Sequence, residues 1–207
     1  MSKPTNPPSS QEPIQAGRRQ FLKQSVVSLG VTVHEFVKHR DAPREKKEEV
    51  GPAFRTDWLR PPGAVEESVF LERCTQCGDC LTVCPHDAIC SHAEDETPVI
   101  FPDQAPCLLC DDFPCISACE TEALLPVGHF REVAMGKAKV FHQICTASQG
   151  CNACVSRCPT QALAMDFSGF QLKVDATNCV GCGICEQVCL TVNDRLAIRV
   201  VPARSLP

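Results

Sequence analysis

Cysteine is the residue type with the clearest chemistry in this chain, with 17 copies in 207 residues. Sixteen of them form four groups of four. The first and fourth groups share the spacing C-x2-C-x2-C-x3-C, and their members are Cys74, Cys77, Cys80 and Cys84, and Cys179, Cys182, Cys185 and Cys189. In this spacing three thiolates of one loop bind three irons of a 4Fe–4S cluster, and the fourth, on the following helix, binds the partner cluster.

The second and third groups keep the final x3 step but have longer loops. Their members are Cys107, Cys110, Cys115 and Cys119, and Cys145, Cys151, Cys154 and Cys158. Structural zinc usually takes two C-x2-C pairs separated by a longer insert, which differs from these runs of four. An odd number of clustered cysteines disfavours a disulfide framework. The sequence therefore predicts four 4Fe–4S clusters whose iron is bound by all sixteen cysteines.

The remaining reactive residue types do not form a catalytic constellation. Cys90 follows group one, and we interpret it as a small buried apolar residue. Four histidines near the groups are interpreted as surface or neighbouring residues, because every group already has four thiolates: His86, His92, His129 and His142. The chain has no G-x-S-x-G, no phosphate-binding glycine loop and no helical His–Glu–His motif. These observations favour an electron carrier without a small-molecule substrate over an enzyme.

The groups belong to an internal repeat. Their first cysteines are Cys74, Cys107, Cys145 and Cys179. The residues after the third cysteine of a group predict a short helix. Apolar runs separated by turn residues then predict β-hairpins, which would pair residues 88–89 with 99–101, 123–125 with 139–141, and 162–164 with 172–174. We expect a loop-rich, ferredoxin-like α+β fold of two paired bacterial-type modules, each with two clusters.

Composition divides the chain into four segments. Residues 1–17 are rich in Pro, Ser, Gln and Asn and are expected to be disordered, residues 18–37 contain a twin arginine, residues 38–68 form a charged, Pro-rich linker, and residues 69–202 form the four-cluster domain. Trp58 is expected to anchor the linker. The formal net charge of −5 disfavours nucleic acid as a partner. No apolar run approaches the roughly 18 residues that a membrane span needs, which leaves a soluble or peripheral protein.

The segment Gly17-Arg18-Arg19-Gln20-Phe21-Leu22-Lys23 resembles a twin-arginine export signal. Such a signal fits the predicted cofactors, because clusters are inserted in the reducing cytosol and the twin-arginine route exports folded proteins. The following apolar stretch is short, and no small-x-small cleavage site follows it. Two alternatives remain open. Either the protein is periplasmic and held at the membrane by an uncleaved signal, or it is cytoplasmic.

With these residues in view, the chain resembles the MauM/NapG ferredoxin-type family. The resemblance spans residues 18–202 and rests on the twin arginine, the four groups in order, and the segments Leu59-Arg60-Pro61-Pro62-Gly63-Ala64, Pro114-Cys115, Ala134-Met135-Gly136 and Gln149-Gly150-Cys151. It implies an electron-transfer protein of a respiratory chain, which passes electrons from a membrane quinol-oxidising partner to a periplasmic redox enzyme. The alternative is an accessory iron–sulfur protein that matures a redox enzyme, as the cytosolic NapF-type relatives imply.

The resemblance also implies a pairing of the groups. In relatives with four groups the pairing is nested, first with fourth and second with third. One cluster would then be bound by Cys74, Cys77, Cys80 and Cys189, another by Cys179, Cys182, Cys185 and Cys84, a third by Cys107, Cys110, Cys115 and Cys158, and the last by Cys145, Cys151, Cys154 and Cys119. The sequence leaves sequential pairing, one with two and three with four, as an open alternative.

Overall fold

The computed structural model describes residues 57–206. The predictions for residues 1–17, for the twin-arginine segment 18–37 and for most of the linker lie outside these residues. No helix in the described part of the chain is long and apolar enough to cross a membrane.

The described residues form a loop-rich α+β body with five short helices and six short strands. The helices are α1 (Glu67–Arg73), α2 (Asp79–Thr82), α3 (Pro114–Ser117), α4 (Ala153–Arg157) and α5 (Ile184–Val192). The strands are β1 (Cys90–Ser91), β2 (Pro98–Val99), β3 (Gly136–Val140), β4 (Leu163–Asp166), β5 (Gln171–Val174) and β6 (Ile198–Pro202). Single turns of 3-10 helix cover Phe130–Glu132, Thr146–Gln149 and Ala203–Ser205.

A helix follows each cysteine loop, and the third cysteine of each group lies on it. In three groups the residue that caps this helix is left-handed, with φ of +80° at Gly78, +41° at Phe113 and +87° at Gly183. A left-handed residue reverses the chain between loop and helix, which glycine does without steric cost. The prediction of a short helix in each group is confirmed.

Two of the three expected hairpins form, and the third prediction is wrong. Strand β1 pairs with β2, and β4 pairs with β5. Strand β3 does not pair with residues 123–125. It pairs antiparallel with β6, from Gly136 opposite Pro202 to Val140 opposite Ile198, and Leu124 instead forms a bridge with Ala64. Short apolar runs predict strands but not their partners, because a partner distant in sequence leaves no local signal.

The folded body begins earlier than the predicted boundary at residue 69. Leu59 is completely buried and exchanges both backbone hydrogen bonds with Ile100, at 2.9 and 2.8 Å. The Val65 amide donates to the Ala123 carbonyl at 3.1 Å. The segment from residue 59 to 65, predicted as the end of a linker, thus packs along the first two groups.

A buried arginine fixes this segment. The Arg60 side chain is 7% exposed and lies between the rings of Trp58 and Phe70, with its guanidinium carbon 4.2 and 4.3 Å from the ring centroids. It donates to the Glu67 carboxylate and, at 2.7 Å, to the Thr97 hydroxyl. A buried charge needs such a partner, because an unpaired ion in the interior is strongly destabilising.

Candidate iron–sulfur centres

Four cavities in the described body are each lined by four cysteines. Cavity A is lined by Cys74, Cys77, Cys80 and Cys119, cavity B by Cys84, Cys107, Cys110 and Cys115, cavity C by Cys145, Cys151, Cys154 and Cys189, and cavity D by Cys158, Cys179, Cys182 and Cys185. All sixteen cysteines predicted as ligands are used once. Each cavity takes three cysteines from one group and the fourth from another, as expected for a cluster pair.

The pairing of the groups is sequential, so the nested pairing implied by the family resemblance is wrong. Cys84 lines cavity B with three cysteines of group two, and Cys119 lines cavity A with three of group one. Cys189 and Cys158 are exchanged in the same way between groups three and four. The helix that leads to the fourth cysteine points away from its own loop in either scheme. The partner is decided by helix packing, α2 against α3 and α4 against α5.

The cysteines that line a cavity surround it without converging on one point. Between residues 57 and 206 no three Cys, His, Asp or Glu side chains converge on a single metal ion, whose thiolates would lie about 2.3 Å from one point if it were zinc. Four thiols arranged around a cavity in this way are the ligand set of a 4Fe–4S cluster.

The cysteine loops share a left-handed residue immediately before the second cysteine. It is Gln76 at φ +55°, Leu109 at +55°, Gly150 at +92° and Gly181 at +76°. A left-handed residue among right-handed ones turns successive amides towards one side and creates a concave site for anions. The sequence signalled this only where glycine occurs. At Gln76 and Leu109 the same conformation has no glycine to mark it.

Backbone amides of the residues after the loops are directed at cysteine sulfurs. Ala88, Ala162 and Ala197 donate to the fourth cysteines of groups one, three and four, at 3.4, 3.3 and 3.3 Å. The Ala138 amide of β3 donates to the Cys179 sulfur at 3.3 Å. Hydrogen bonds to sulfur ligands stabilise negative charge on them and thereby tune a cluster's potential.

Burial makes several of the cavity thiols poor acids in the polypeptide alone. Desolvation, together with neighbouring thiols, raises the pKa of Cys80 to about 12. Burial likewise raises the pKa of Cys107 to about 12 and that of Cys185 well above its ordinary value. Thiolate is nevertheless the form that binds iron. The positive charge of bound iron must therefore offset this desolvation, and cluster binding must release protons.

One buried carboxylate near the cavities was missed by sequence reasoning. Glu186 is 0% exposed and lies on α5 beside Cys185. Its Oε2 accepts the Val200 amide of β6 at 2.9 Å, and its Oε1 lies 3.8 Å from Nε of Arg199. Glu186 thus ties the helix that carries Cys185 and Cys189 to the strand behind it. A single Glu in a helix gives no sequence signal for this role.

The residues predicted not to be ligands lie as follows. Cys90 lines none of the four cavities. It is half-buried on β1, with its sulfur 3.6 Å from the Val99 carbonyl oxygen. His86 lines cavity B, His92 pairs with Asp95 at 3.0 Å, and His129 accepts the Arg131 amide.

Comparison with known families agrees with this geometry. A family model described as "4Fe-4S dicluster domain" matches residues 144–193, which hold groups three and four. A second, described as "4Fe-4S binding domain", matches residues 68–89, which hold group one. The dicluster match spans the two groups that share cavities C and D. No solved structure matches the chain.

Curated relatives cover most of the chain. The methylamine utilization ferredoxin-type protein MauM of Methylobacillus flagellatus is 35% identical over 89% of this chain and 83% of its own length. The ferredoxin-type protein NapG of Escherichia coli is 33% identical over 70% of both chains. The ferredoxin-type protein NapF of Haemophilus influenzae is 30% identical over 86% of this chain and 93% of its own length. The chain therefore belongs to the MauM/NapG family of ferredoxin-type 4Fe–4S proteins, which are electron carriers.

Proposed function

We propose that the protein binds four 4Fe–4S clusters, one in each cavity, and carries electrons between two redox partners. The observation that carries this proposal is the distribution of all sixteen grouped cysteines over four cavities, four to each. A bound 4Fe–4S cluster supplies reversible one-electron storage. The polypeptide contributes the thiolates, the amides directed at sulfur, and apolar walls that limit access of water.

The two halves of the body differ in formal charge, and this difference can orient the protein towards its partners. Residues 57–127, the N-terminal half with cavities A and B, contain fourteen Asp and Glu against two Arg, a formal charge of −12. Residues 128–206, the C-terminal half with cavities C and D, contain five Asp and Glu against eight Lys and Arg, a formal charge of +3. Two bound clusters add about −4 to each half, because each cluster with its four thiolates carries about −2. Loading therefore leaves the N-terminal half strongly acidic and the C-terminal half about neutral, so a basic partner surface would be steered to the N-terminal half.

For the partners we propose a membrane quinol-oxidising protein as the electron donor and a periplasmic redox enzyme as the acceptor. The similarity to MauM and NapG supports a place in such a chain. The similarity to NapF keeps a second candidate, an accessory protein that matures a redox enzyme. The two differ in whether a quinol-linked donor reduces the clusters.

For localisation we propose export through the twin-arginine route, with the signal left uncleaved. The support is the segment from Gly17 to Lys23 and its fit to a protein that must fold around its clusters before export.

The cluster count is tested by cofactor content. Anaerobically purified protein is expected to contain about sixteen irons and sixteen acid-labile sulfides per chain, four of each from every cluster. The Cys90→Ala variant should contain the same amount, because Cys90 lies outside the four cavities. About eight irons, or zinc in their place, would contradict the proposal.

The pairing is tested by double variants. Cys84 and Cys110 line the same cavity, so Cys84→Ala with Cys110→Ala should lose one cluster and keep about twelve irons. Cys84 and Cys182 line different cavities, so that double variant should lose two clusters and keep about eight. Nested pairing predicts the reverse order, since Cys84 would then share a cluster with Cys182. Iron analysis with EPR of the residual clusters decides between them.

Export is tested by substitution of the arginine pair. Arg18→Lys with Arg19→Lys should leave the protein in the cytosol, because the twin-arginine route discriminates against lysine at these positions. Cell fractionation measures the shift, and Lys23→Arg serves as a charge-preserving control. Equal cytosolic distribution of the unaltered chain and the double variant would disprove export.

Steering by the acidic half is tested with small redox probes. Reduction by a cationic viologen radical should slow roughly tenfold from low to high ionic strength, because salt screens its attraction to the carboxylates. A disulfonated viologen with the same core is a net anion in its reduced form, so its rate should instead rise as salt screens its repulsion by the carboxylates. Glu96 is exposed and lines cavity A, so Glu96→Gln should slow the cationic probe at low salt more than Asp175→Asn in the other half. Stopped-flow absorbance gives both rates, and identical salt dependence of the two probes would refute steering.

A further inference from the structure

Within each half of the body, two cavities are joined by packed helices. Cys80 of cavity A lies on α2, and Cys115 of cavity B lies on α3, which packs against α2. Cys154 of cavity C lies on α4 and Cys185 of cavity D on α5, which also pack against each other. Cavities A and B are therefore neighbours, and so are C and D.

One of the contacts between the two halves lies where the loops of cavities B and D touch. The Cys107 amide donates a hydrogen bond to the Cys182 carbonyl at 3.1 Å, so a residue lining cavity B is bonded directly to one lining cavity D. Both cysteines are 8% exposed. Beside this bond, Gly183 packs on Pro102, where a Cβ on the glycine would lie 2.3 Å from the proline Cβ. Only a residue without a side chain allows this approach.

We propose that the four centres form a single path in the order A, B, D, C, and that the Cys107–Cys182 contact is the junction between its halves. Gly183 is the positioning residue of this junction. The inference rests on the proposed function, since it requires four loaded cavities. It adds the order of the centres and the contact that connects them.

The cysteines are more exposed in cavities A and C, the two ends of this path, than in cavity D. Cys77 in cavity A is exposed, and three of the four cysteines of cavity C are partly exposed. In cavity D only Cys158 is partly exposed, and the other three are buried. Because electron tunnelling weakens steeply with distance, outside partners exchange electrons best at cavities A and C. The strongly acidic surface of the first half then faces one partner, and the second half, which is about neutral once its clusters are bound, faces the other.

The test compares two alanine variants with the same backbone strain. Gly78 and Gly183 both cap the helix that carries a third cysteine, at φ +80° and +87°. A Cβ at Gly78 meets nothing within 4 Å, whereas one at Gly183 collides with Pro102. Gly78→Ala therefore measures the effect of a left-handed alanine alone on electron exchange. In Gly183→Ala the collision with Pro102 also displaces the two halves from each other.

The measurement is protein-film voltammetry on chains tethered to gold through Ala93→Cys in a Cys90→Ser background, because Ala93 is exposed in the turn between β1 and β2 of the N-terminal half. At slow scan rates loaded protein should exchange about four electrons per molecule, one per cluster. At fast scan rates the original chain should still exchange four. Gly183→Ala should fall to about two, those of A and B. In Gly78→Ala, the charge exchanged at fast scan rates should be the same fraction of the slow-scan charge as in the original chain. Adding Pro102→Gly to Gly183→Ala removes the colliding atoms and should restore the fast exchange.

The outcomes separate the junction from the cluster count. Full fast exchange in Gly183→Ala overturns the junction while leaving the four-cluster function intact. A slow-scan charge of two in the original chain overturns the four-cluster function itself. If Gly183→Ala fails to load, the chain tethered at Ala93→Cys is compared with Cys90→Ser plus Ser168→Cys, which moves the tether to the exposed position 168 in the C-terminal half. Fast exchange of four electrons from both tethers supports one continuous path, and two from each refutes it.

Discussion

The constraint on which the structure depends is the convergence of four thiols on each of four cavities. Burial raises the pKa of several of these thiols, among them Cys80 and Cys107, so at these positions the polypeptide alone disfavours the thiolates that iron requires. Most of the local structure serves this convergence. Short helices begin one residue before the third cysteine of each group, left-handed residues such as Gln76 and Gly181 bend the loops, and amides of the following residues point back at sulfur.

The exchange of fourth cysteines gives this short-element fold its cohesion. Each group contributes its fourth cysteine to the cavity of its partner group. Cys84 lines the cavity of group two and Cys119 that of group one, so neither group can complete a cavity alone. Strand β3 pairs with β6, and the buried Arg60 holds residues before α1 against the first two groups. With strands of two to five residues, secondary structure contributes little stability by itself. Burial around the cavities must supply the rest.

The two halves of the body differ in charge and are connected through a backbone contact. The N-terminal half is strongly acidic and has an exposed cysteine at Cys77, and the polypeptide of the C-terminal half alone is weakly basic. Negative charge around a cluster opposes the addition of an electron, so surface charge affects both partner choice and redox balance. The contact between Cys107 and Cys182 joins these unlike halves through backbone atoms. Close approach there depends on Gly183, which leaves no room for a side chain against Pro102.

The sequence by itself determined the four cysteine groups, the short helices and two of the three hairpins, because cysteine spacing and apolar runs are local signals. Four thiols within a few residues, as from Cys179 to Cys189, specify a cluster loop wherever it lies in the fold. Tertiary structure alone decided the partner of each group, the pairing of β3 with β6 and the burial of Glu186. The helix leading to Cys84 points away from its own loop in either pairing. The cavity that Cys84 lines depends on the packing of α3 against α2. The spacing of cysteines does not indicate which helices pack together.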